Sequence, residues 1–60
     1  MLQTEIFEHA RMLYEAHGDK AEWEAAQKSK IYRQNGNLRL AREWHKIREV
    51  IHQMRGARAR

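Results

Sequence analysis

The 60-residue chain has no cysteine and no proline, and only three glycines, one serine and one phenylalanine. Without cysteine there can be no disulfide framework, thiolate metal site or thiol nucleophile. Without proline nothing in the covalent chain forces a helix to break. The glycines stand alone at 18, 36 and 56, so no glycine-rich phosphate loop exists. Long apolar runs are also missing. The best is a triplet such as Met12-Leu13-Tyr14, far short of the ~20 residues of a membrane span, and no signal-peptide pattern opens the chain. A soluble, cytoplasmic protein is the expectation. Large aliphatics are scarce: Leu, Ile, Val and Phe supply ten residues in all. Together with a net charge of +4, that scarcity approaches the composition of disordered chains.

These shortages exclude a multi-domain protein, a secreted disulfide scaffold and a substrate-enclosing enzyme. Ser29 sits on a packing face rather than beside a histidine base, and no catalytic constellation is present. The chain is therefore read as no enzyme and as carrying no cofactor.

What is abundant is helix-forming sequence: Ala, Glu, Lys, Arg, Gln, Leu and Met dominate between the glycines. Glycine is favoured just past a helix, where the left-handed backbone costs it nothing. Asp19 and Glu22 have capping-box spacing directly after Gly18, Asn37 can cap a helix after Gly36, and Thr4 can cap the first. Helices are predicted at about 4–17, 20–34 and 38–54. The domain spans 1–56, and 57–60 is expected to be a flexible basic tail.

In the last helix Leu40, Trp44, Ile47, Ile51 and Met54 recur every three or four residues, the seam of an amphipathic helix. Ile6, Ala10, Leu13 and His17 do the same in the first, widened by Phe7 and Tyr14. The second helix offers a narrower face of Ala21, Ala25, Ser29 and Tyr32, small enough for a neighbour to approach closely. With short connectors, an all-α three-helix bundle or a helical hairpin plus a third helix follows. A core this small calls for extra buried surface, so an oligomer, most simply a homodimer, is expected. Trp23 points away from the small-residue face and Ile31 to its side, which makes this pair the candidate partner contact.

Charge is uneven along the chain. The segment before the second helix is acidic, whereas residues 36–60 carry seven basic and two acidic side chains. Arg39, Arg42 and Lys46 lie opposite the apolar seam, and Arg55, Arg58 and Arg60 continue the basic character. The alternative function is thus nucleic-acid or anionic-surface binding through this face and tail. A helix-turn-helix is the motif to test there, but the helix start offers no Asn or Gln to read adenine. Glu49-x-x-His52, with His45, has the spacing of di-metal carboxylate bundles. It is expected to face away from the interior, and no metal site is assigned. His17 is read as a helix-terminal histidine bonding backbone carbonyls, and His9 as a surface residue.

The run His17-Gly18-Asp19-Lys20-Ala21, the Gly36 turn, Ala41-Arg42-Glu43-Trp44-His45-Lys46-Ile47 and the closing Gln53-Met54-Arg55-Gly56 resemble short three-helix proteins of alphaproteobacterial type. These share an HGD…A…G…W…I…RG pattern. The likeness covers about residues 10–56 and consists of caps and core positions. It departs at Gly36-Asn37, where such proteins tend to have Gly-Asp. The resemblance implies a three-helix fold in a bacterial cytoplasm and carries no activity, cofactor or catalytic residue. Together these features point to a small helical interaction or regulatory module that dimerises or docks on a larger protein.

Overall fold

The computed structural model describes the backbone of residues 3–58 and the side chains of residues 4–56. It is an all-α three-helix bundle: α1 spans Gln3–His17, α2 Lys20–Gln34 and α3 Leu38–Arg58. Helices α2 and α3 form an antiparallel hairpin, and α1 lies across it, chiefly against α3.

Two glycines end helices as expected. Gly18 (φ 62°) receives the end of α1, with its N–H donating to the Tyr14 carbonyl at 2.7 Å. Gly36 (φ 83°) closes α2 in a Schellman motif, in which the Asn37 N–H reaches the Tyr32 carbonyl at 2.9 Å and the Gly36 N–H reaches Arg33 at 3.1 Å. Asn37 then caps α3, its Oδ1 accepting the Leu40 N–H at 3.2 Å.

The third glycine behaves differently. Gly56 lies inside α3, which continues to Arg58, because Gly56 has no positive φ and Ala57 and Arg58 are good helix formers. The tail expected over 57–60 is therefore helical through residue 58, and residues 59–60 lie outside the described residues. The Asp19–Glu22 capping box also does not form. Asp19 is already in the right-handed helical region (φ −63°, ψ −22°) with no side-chain cap bond, whereas a capping residue needs an extended backbone. Thr4 falls within α1 rather than before it.

The core is small and built from small residues. Ile6 and Ala10 of α1, Ala21 and Ala25 of α2, and Ile47 and Ile51 of α3 are buried together. Leu13, Tyr14, Trp44, Val50 and Met54 pack around them, half-buried. Alanines on α2 let the α3 isoleucines sit close to its backbone. Ser29 joins this face because its hydroxyl is satisfied: Oγ donates to the Ala41 carbonyl at 2.9 Å in a buried contact. The seam of α3 is thus centred on Ile47 and Ile51, the two large side chains with no exposure, and Trp44 lies at its edge.

Candidate docking surfaces

Helical period places Trp23 opposite the alanine stripe of α2 and Ile31 to its side. They remain 65% and 51% exposed. The structure brings them together: both line one groove of about 410 Å³ whose other walls include Leu13 of α1, Gln27 and Lys28 of α2, and Trp44 of α3. The Trp44 ring is held in place there. His9 meets it edge-on, with centroids 5.1 Å apart and planes at 66°, and the Lys28 ammonium lies 5.4 Å from its centroid. His9 is accordingly half-buried rather than a free surface residue. At the end of the groove His17 pairs with Glu24 across the α1–α2 turn. That contact replaces the backbone-carbonyl role expected of His17.

The basic face divides into two parts. Arg39, Arg42 and Lys46 are exposed on α3, and none of them forms an ion pair among the described residues. Arg55 belongs elsewhere. Its Nη1 donates to Glu22 Oε1 at 2.6 Å and its Nε stands 3.5 Å from Asp19 Oδ1, so it fastens the far end of α3 to the start of α2. The side chain of Arg58 and all of Arg60 lie outside the described residues. Of the four described members of the expected basic surface, Arg39, Arg42 and Lys46 therefore remain on it and Arg55 does not. Arg33, reaching from α2, adds a cation that the sequence did not suggest.

Glu22 is the main polar residue of the α2–α3 contact that sequence reasoning misplaced. Its side chain is 15% exposed. Its other oxygen accepts from His52 Nδ1 at 3.0 Å. Burial works to raise its pKa, but the hydrogen bonds and positive charges of Arg55 and His52 outweigh it and hold the carboxyl below the ordinary glutamate value of 4.5. The only sequence signal was an Asp/Glu pair one helical turn apart, which local rules assign to a cap.

The Glu49–His52 pair does not converge. His52 turns to Glu22 on α2, while Glu49 pairs with His45 Nε2 at 3.3 Å along α3. Among the described residues no three His, Asp or Glu side chains are grouped to hold a metal ion, and no helix is long and apolar enough to cross a membrane.

No protein-family model matches the chain, and neither a curated protein nor a solved structure shows significant similarity to it. The function must be argued from these surfaces.

Proposed function

We propose that the protein is a small, non-catalytic helical interaction module that receives an apolar helix face of a partner protein in the Trp23–Ile31 groove. One observation carries this reading: the two large apolar side chains that α2 leaves in solvent converge on a single groove floored by core-edge residues. Isolated exposed apolar residues are ordinary, whereas a contiguous apolar depression rimmed by polar groups is the usual form of a protein-binding site. Tryptophan is also a residue that anchors such contacts.

The area agrees. The chain exposes 4719 Å², whereas a folded monomer of 7.3 kDa is expected to expose roughly 4,200 Å². A second copy is the simplest occupant, and a larger protein is the other. Sedimentation equilibrium at micromolar concentrations tests the first form: association that Trp23→Glu abolishes, with helix content unchanged, supports it. A monomer at every concentration removes the homodimer.

Among the described residues the phosphate-binding alternative rests on Arg39, Arg42 and Lys46, with Arg55 tied to Glu22 and Asp19. Salt-sensitive binding to duplex DNA, RNA or anionic vesicles that weakens in Arg39→Gln/Arg42→Gln supports it. The two forms of partner require different faces of the molecule, so these variants separate them.

A further inference from the structure

A second groove, of about 420 Å³, runs between α2 and α3 on the side of the hairpin away from Trp23. Its floor is Ser29, Ala41 and Leu38; the first two are buried. The Ser29 hydroxyl is already spent on the Ala41 carbonyl, so the floor makes no polar demand on an occupant. Leu38, in the first turn of α3, is 56% exposed. Arg33 from α2, and Arg42 and Lys46 from α3, stand around this apolar centre, and none of the three forms an ion pair among the described residues. The only acidic side chain lining the groove, Glu49, stands at its far end and is held by His45.

We infer that this groove docks an acidic amphipathic helix of a partner protein, one whose aliphatic anchor is flanked by carboxylates one turn to either side. Charge and shape together select that occupant. Leu38 and Glu49 are eleven positions apart on α3, or about 17 Å at 1.5 Å per residue, which is roughly three helical turns. The described residues offer no sheet edge for an extended peptide, whereas a cleft between two helices accepts the ridge of a third. The anchor meets Leu38 and Ala41, and the flanking carboxylates meet Arg33, Arg42 and Lys46. A second copy docked symmetrically through the same groove would set these cations against one another. A phosphate backbone would leave the exposed Leu38 without a partner. The inference is independent of the Trp23–Ile31 groove, which uses other side chains.

The test is fluorescence anisotropy with a labelled, end-capped, alanine-based helical peptide of about three to four turns. It carries one leucine with glutamates four residues before and three after it. A matched peptide has lysine in place of glutamate, and a short DNA duplex serves as competitor. The expected result is saturable, salt-sensitive binding of the glutamate peptide only. Arg42→Glu should weaken it by about tenfold or more and let the lysine peptide bind, and Leu38→Ala should weaken it as well. Both positions are exposed, so circular dichroism should be unchanged. Absence of binding, equal binding of the two peptides, or insensitivity to Leu38→Ala overturns the inference. DNA that displaces the peptide and binds equally well to Leu38→Ala overturns it in favour of phosphate. Self-association of the protein alone that Arg42→Glu abolishes overturns it in favour of a second copy.

Discussion

Glu22 and Arg55 are 33 positions apart in sequence, yet their side chains meet at 2.6 Å. The contact joins the first turn of α2 to the last turns of α3, and His52 and Asp19 complete it. It closes the end of the hairpin remote from the Gly36 turn, where the alanine stripe of α2 supplies little apolar area of its own.

Glu22→Gln therefore lowers stability in a pH-dependent way. The folded-state pKa of Glu22 lies below its unfolded value, so its contribution is complete above the unfolded value and is lost as the pH falls through the folded one. At neutral pH the substitution should cost about 1–2 kcal/mol, the range for a partly exposed, charge-assisted contact. That corresponds to a melting temperature lower by roughly 4–8 °C per kcal/mol for a domain of this size. In acid, below the ordinary glutamate range, the wild-type and variant melting curves should converge. A constant gap across the titration contradicts the assignment.

Ile47→Ala and Ile51→Ala should each cost about 2–5 kcal/mol, enough to unfold most of a domain this small. Both side chains have no exposure, whereas Trp44 is half-buried, so Trp44→Ala should be the milder change. Chemical denaturation followed by circular dichroism ranks them. A more damaging Trp44→Ala would move the centre of the core.

The glycines should respond with opposite signs. Gly36→Ala places a side chain at φ 83° and should destabilise by about 1–2 kcal/mol. Gly56→Ala falls inside α3, at a site where an added Cβ meets nothing within 4 Å. It should stabilise by up to about 1 kcal/mol. Thermal melts of the two variants check this directly.

Ala25→Leu should also be damaging, by about 1–3 kcal/mol or more. Ala25 has no exposure and sits where α3 comes close to α2. The same substitution at exposed Ala16 should be nearly neutral. Equal melting temperatures would mean that α2 and α3 have room to separate.

Much of the architecture was legible because it is written at short range. The three-to-four-residue recurrence of Ile47 and Ile51, the Ala21-Ala25-Ser29 stripe and the Gly36-Asn37 junction each declare their roles within one or two helical turns. Other features depend on how the helices are set against each other. Asp19 and Glu22 look like a cap until Arg55, more than thirty positions further along the chain, takes both carboxylates. Gly56 looks like a terminus because residue type alone does not reveal φ. The two histidines beside Glu49 share its helix face in a linear reading, yet His52 leans onto α2. On the surface, the exposure of Trp23 and Ile31 followed from the angular position of each on α2. Their convergence with Leu13 and Trp44 did not, because it depends on where α1 crosses the hairpin. Leu38 was overlooked as a surface residue for the same reason: its neighbour Arg33 belongs to another helix.

The most direct test of the docking account is photo-cross-linking from a benzophenone amino acid placed at position 23, with position 11 on the outer face of α1 as control. Performed in native cells, it should give a discrete adduct from position 23 that disappears in Ile31→Glu and is absent from position 11. Because Trp23 is 65% exposed, its replacement should leave the melting temperature almost unchanged, so the folded protein is what is probed. No adduct from position 23, or the same adducts from both positions, would contradict a docking role for this groove.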